Sequence, residues 1–150
     1  MISNPKPNDP AGRGYIDLAV IAAFRQGPGG SDFTVMLIDQ FLEEADRRAD
    51  ALREATSRHD GPAIKAASHA LKGSSRIMGA NRLGGLCARL EHGSQDPAGI
   101  AAAPALMASV NAELVRVRRA FAAERKNLTQ PAGGPVEGPA TKQRSLTTQP

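Results

Sequence analysis

Apolar residues in this chain recur every three or four positions over long segments, and no stretch alternates with the period of two that a half-buried strand requires. That rhythm limits the fold to helices. Glycine and proline cut it into pieces. Residues 15–26 read as a short first helix, stopped by Gly27-Pro28-Gly29-Gly30. Ser31 or Asp32 then caps a long second helix that reaches about residue 58 and buries Phe33, Leu37, Phe41, Ala45, Ala49 and Leu52. Asp60-Gly61-Pro62 is a turn and a helix start, with proline where its missing N–H costs least. The third helix buries Ile64, Ala67, Leu71 and Met78 and ends near Gly79. A fourth, from about Asn81, buries Leu83, Leu86, Cys87 and Leu90 and stops at Gly93. The last runs over about residues 97–127 and buries Ile100, Leu106, Val110, Leu114, Val117 and Phe121. Short connections favour antiparallel neighbours. The expected fold is therefore all-α: an antiparallel up-down four-helix bundle with a short additional N-terminal helix.

The ends differ from the middle. Residues 1–14 and 128–150 are rich in proline and glycine and carry no apolar period, so both are expected to be disordered tails or linkers around a bundle at 15–127. A chain of 150 residues with 41% hydrophobic content suits one domain with a modest core. No run approaches the roughly 18 apolar residues of a membrane span, and residues 1–5 lack the apolar core of a signal peptide, so no membrane contact and a cytoplasmic location are expected. The net charge of +4 does not point to nucleic acid, because acids and bases are interspersed, as in Glu43-Glu44-Ala45-Asp46-Arg47-Arg48. Phe24, Phe33, Phe41 and Phe121 fit apolar stripes, which leaves no platform for stacking bases.

His69 stands out within the third helix. It precedes Leu71 by two residues, about 200° around the axis, so it points outward when Leu71 points into the core. Lys65, Ala66, Lys72, Gly73 and Arg76 fall one or nearly two turns away on the same face. A neutral imidazole attacks phosphorus well, and neighbouring cations stabilise a bound phosphoryl group. Gly73 costs about 1 kcal/mol relative to alanine inside a helix, and close approach by another protein would account for it. Spacing alone leaves two readings open: a phosphoryl-accepting face, or a solvated histidine on a routine basic surface.

Other candidates carry less. His59 belongs to the turn before the third helix, and His92 ends the fourth, where the helix dipole favours a partial positive charge. The three histidines and the single Cys87 show no zinc spacing, so no metal site is expected. Cys87 reads as a small buried apolar residue. Ser74 and Ser75 lack a nucleophile elbow and suit helix packing.

The run from Ser68 to Glu91, SHALKGSSRIMGANRLGGLCARLE, resembles the signature of the histidine phosphotransfer (HPt) domains of bacterial two-component phosphorelays. That pattern is met by His69, by Lys72-Gly73-Ser74, by Gly79-Ala80, and by Leu86-Cys87-Ala88-Arg89-Leu90-Glu91. The resemblance implies that His69 accepts a phosphoryl group from a receiver-domain aspartate and passes it to another. It implies that Lys72 steadies the phosphate and that Gly73 admits the receiver's active-site loops. It implies too that Glu91, where the family often has glutamine, orients the imidazole. Lys65, Ala66, Gly73 and Arg76 would form the partner-binding face. The receiver would supply the aspartate and Mg²⁺, and this chain would bind no cofactor.

Neither a P-loop nor a dinucleotide-binding glycine motif occurs, so ATP is not expected as direct donor. The dimerising histidine domain of sensor kinases fits less well, because Ala70 stands where that family has an acidic residue and no proline follows at its spacing. A receiver-docking helical module without phosphoryl chemistry remains the alternative. The expected partners are response-regulator receivers, with a hybrid histidine kinase in cis or in trans, and the expected state is a monomer. No nucleic acid is expected among them.

Overall fold

The computed structural model describes residues 13–131. It contains a 3₁₀ turn at Arg13–Tyr15 and five α-helices: α1 Leu18–Gln26, α2 Gly30–Ser57, α3 Gly61–Ile77, α4 Asn81–Gly93 and α5 Pro97–Thr129. The described residues contain no strand. Residues 1–12 and 132–150, which hold most of the expected tails, lie outside the described part.

Three aspartates start three helices by the same chemistry. The side chains of Asp17, Asp60 and Asp96 accept from the backbone N–H groups of Ala19, Ala63 and Gly99 at 2.9, 3.1 and 2.7 Å, offsetting donors that have no partner within the first turn. Pro62 and Pro97 occupy the first turns of α3 and α5. Asp17 also corrects the first helix: Tyr15 closes a separate 3₁₀ turn, and α1 begins at Leu18. At α2, neither Ser31 nor Asp32 is the cap. Gly29, at φ 93°, precedes the helix without a side-chain cap bond, and Asp32 lies in the first turn. α5 runs past the expected residue 127 to Thr129.

α2 packs on α3, α3 on α4, α4 on α5 and α5 on α2, so four helices close a circuit around one core, with α1 laid on α2. The centre holds Ile38, Phe41, Leu52, Ile64, Leu71, Leu83, Cys87, Val110, Val117 and Phe121. The Phe41 and Phe121 rings meet edge to face, 5.4 Å between centroids. Two expected core residues are displaced. Phe33 is 39% exposed and Leu37 half-buried, while Thr34 and Ile38 are fully buried. The spacing 34, 38, 41, 45, 49, 52 follows the helical repeat of about 3.6, whereas a line through 33 and 37 drifts off the inner face. Ala67, Leu86, Ile100 and Leu106 are likewise half-buried, and Ala103 and Met107 take inner positions on α5.

α5 is long and apolar enough to cross a membrane by length and composition, with a window of mean hydropathy 1.4, which departs from the expectation that no segment approaches a span. Alanines raise that value, and the helix buries one stripe against α2 and α4.

The corner between α3 and α4 is fixed by Gly79, at φ 82°, a conformation that side-chain-bearing residues rarely adopt. Its carbonyl accepts from Asp17 N–H at 2.9 Å, tying the start of α1 to the end of the helix that carries His69.

Candidate functional site

His69 lies midway along α3. The residue before it, Ser68, is fully buried and donates its hydroxyl to the Ile64 carbonyl at 2.6 Å, and Leu71 is also fully buried. With those two directed inward, the 100° helical step turns the His69 side chain outward, where it is 69% exposed.

α4 brings in the decisive neighbour. Glu91, in its last turn, stands 2.7 Å from His69 Nδ1 through Oε1 and 2.5 Å from Lys72 Nζ through Oε2. The Glu91 and Lys72 side chains are mostly covered, 17% and 22% exposed, so one largely buried carboxylate joins a surface histidine to a half-buried lysine. The Lys72 hydrogen bond holds the Glu91 carboxyl below the usual carboxylate range. The His69 contact adds to this, against the opposing cost of desolvation. An ionised carboxylate only accepts, so His69 Nδ1 donates in this contact, and in the neutral ring the lone pair is then on Nε2.

Two glycines beside this group differ in what surrounds them. A methyl group built on Gly84 of α4 would lie 2.9 Å from Cγ of Arg76, so glycine lets the arginine stem cross α4. Gly73 is the reverse case: a methyl group there would meet nothing within 4 Å. Internal packing does not require Gly73. Ile77, four residues further along the same face, is 67% exposed.

Lys65 and Ala66 are exposed one turn before His69, and Arg76 is exposed nearly two turns after it. Beside Ala66, α2 and α3 leave an open groove of about 510 Å³. It is lined by Ala51, Ala63, Ala66 and Ala67 together with Arg47 and the Glu44–Arg48 pair. Beneath the site, Cys87 is fully buried, and burial pushes its thiol up to about 12.

The structure thus gathers the sequence candidates His69, Lys72 and Glu91 into one hydrogen-bonded group, with Lys65, Ala66, Gly73 and Arg76 around it. Sequence reasoning missed Gly84, Ile77 and the α2 side of the groove. Gly84 left a signal, since a second interior helix glycine carries the same propensity cost as Gly73. Ile77 and Arg47 left none, because single exposed apolar or charged residues are ordinary on helix surfaces. His59 and His92 lie elsewhere, His59 in the turn after α2 at φ 55° and His92 in the last turn of α4. Among the described residues no cluster of three potential metal ligands occurs.

A family model described as the Hpt domain matches residues 36–122, which include His69, Lys72, Gly73 and Glu91. The chain belongs to the Hpt family. This Hpt chain is also similar to a solved structure, histidine-containing phosphotransfer protein B (HptB) from Pseudomonas aeruginosa PAO1. The identity is 31% and the TM-score 0.69, over 75% of this chain and 96% of that one. No curated protein sequence matches. Membership of the Hpt family supports a phosphotransfer role in a phosphorelay.

Proposed function

We propose that His69 is the phosphoacceptor of a phosphorelay intermediate, taking a phosphoryl group from the aspartyl phosphate of one receiver domain and yielding it to another. The observation that carries this reading is the Nδ1–Glu91 contact at 2.7 Å on a side chain 69% exposed, which directs the lone pair of Nε2 toward solvent. As Nε2 attacks, the N–P bond forms and the acyl P–O bond breaks. The aspartate leaves as carboxylate, and the proton on Nδ1 stays there, still donated to Glu91. The receiver supplies Mg²⁺ and most of the charge stabilisation, and this chain contributes Lys72 as the nearby cation. Gly73 and Ile77 lie where a docked receiver would touch, with Lys65, Ala66 and Arg76 at the edge of the same face. An up-down antiparallel arrangement of α2 to α5 would hold the histidine rigidly for that encounter. We further propose a monomer in the cytoplasm, acting alone or as the terminal module of a hybrid kinase.

The test is incubation with a phosphorylated receiver and Mg²⁺. Acid-labile label should appear on the wild type and on His59→Gln and His92→Gln, and vanish in His69→Gln with melting behaviour nearly unchanged. Binding of the receiver without label on the wild type would instead favour the docking module.

A further inference from the structure

Lys72 has a prior engagement. Its ammonium rests on Glu91 Oε2 at 2.5 Å, and the same carboxylate receives His69 Nδ1–H on Oε1. We propose that Glu91 is a positioning residue with two separable roles. One oxygen fixes the His69 ring, and the other holds Lys72 until a phosphoryl group on Nε2 takes the ammonium from it. The proposal rests on the phosphoryl-transfer reading of His69.

The charges set the direction of the exchange. Before transfer, Lys72 and Glu91 form a neutral pair with only about a fifth of either side chain exposed. Transfer brings up to about two negative charges and three acceptor oxygens to the ring. Lys72 follows His69 by three residues on α3, on the same side of the helix. Because Nζ and Nδ1 share one carboxylate, a swing of the flexible lysine stem suffices and no helix need move. In the step itself, Nε2–P forms as the donor's bond to phosphorus breaks and the donor leaves with the electron pair. The Nδ1 proton does not move, and Lys72 keeps its proton while changing acceptor.

Holding the lysine has a thermodynamic consequence. Phosphorylation must break the Lys72–Glu91 pair, so Glu91 lowers the share of phosphohistidine at equilibrium and favours onward transfer. Glutamine at this position would keep a carbonyl for Nδ1–H and lose the ionic hold on Lys72.

The experiment uses the full chain with phosphoramidate as donor, at matched phosphoramidate and ammonium concentrations, read by ³¹P NMR with ¹⁵N-labelled lysine. Glu91→Gln should raise the ratio of phosphorylated to free protein about three- to fivefold. Most of that gain should disappear when Lys72→Ala is also present. The Lys72 Nζ resonance should differ between wild type and Glu91→Gln before phosphorylation and converge after it. If Glu91→Gln gains as much or more in the Lys72→Ala background, the carboxylate acts by simple repulsion and the proposal is overturned. An unchanged ratio, or Nζ resonances that stay apart after phosphorylation, overturns it as well and leaves His69 as acceptor intact. If His69 takes phosphate neither from phosphoramidate nor from a phosphorylated receiver, both readings fall.

Discussion

Gly73 offers a prediction whose two halves pull in opposite directions. A methyl group at this position meets nothing within 4 Å, so no steric term offsets the gain in helix propensity from Gly73→Ala, about 1 kcal/mol. For a domain of this size that gain raises the melting temperature by about 4 °C. Gly73→Gln should recover part of the same stability. It also places a long side chain four residues from His69, on the face proposed to receive the receiver, and a loss of at least about tenfold in transfer rate is expected, ~1.4 kcal/mol. Gly84→Ala is the control, because its methyl group would press on Arg76 Cγ at 2.9 Å and the propensity gain should be cancelled by repacking of about 1 kcal/mol. Thermal and urea melts followed by circular dichroism give the stability half. Quenched-flow transfer with one receiver gives the other. Wild-type transfer by Gly73→Gln, or destabilisation by Gly73→Ala, would refute the argument that the glycine is kept for a partner and not for the fold.

Lys72→Ala should slow transfer even at saturating receiver, whereas Lys65→Ala and Arg76→Ala should act through association and fade as salt screens charges beyond about 8 Å. Equal, salt-independent losses at all three would contradict that division. Glu113 of α5 is 1% exposed, carries an unpartnered Oε1, and meets Arg82 and Arg116 at 3.7 and 3.4 Å. Burial raises its carboxyl above the usual range against the pull of both arginines, so the folded protein binds this proton more tightly than the unfolded chain does. Its stability contribution is then complete below the usual carboxylate pKa and lost as pH rises through the folded value. Glu113→Gln should therefore flatten the fall in urea midpoint with rising pH and be neutral or stabilising by up to about 1 kcal/mol at pH 7. A wild-type midpoint that rises relative to the variant over the same range would reverse the sign. Cys87, with its thiol pushed up to about 12 by burial, should resist alkylation at pH 8 in the native state and react on unfolding, as followed by mass spectrometry.

Local periodicity was enough for much of this protein. The order of the helices, the helix start at Asp60-Gly61-Pro62 and the outward turn of His69 follow from 100° steps along one segment, and the sequence states those steps directly. The run around His69 likewise carried the Hpt resemblance that the family match bears out. Choices among near-equivalent local options were not legible. Ser31, Asp32 and a glycine turn could each begin α2, and Phe33 and Thr34 lie 100° apart on its first turn. The circuit of α2 with α3 and α5 decided which faced inward. The bond between Glu91 and Lys72 is of the same kind. Glu91 was expected near the ring by resemblance, but nothing in the sequence says that its second oxygen holds the lysine. That contact joins residues of two helices. It depends on how closely α3 and α4 approach across Gly84, a distance set by side-chain packing between segments and not by the conformation of either one.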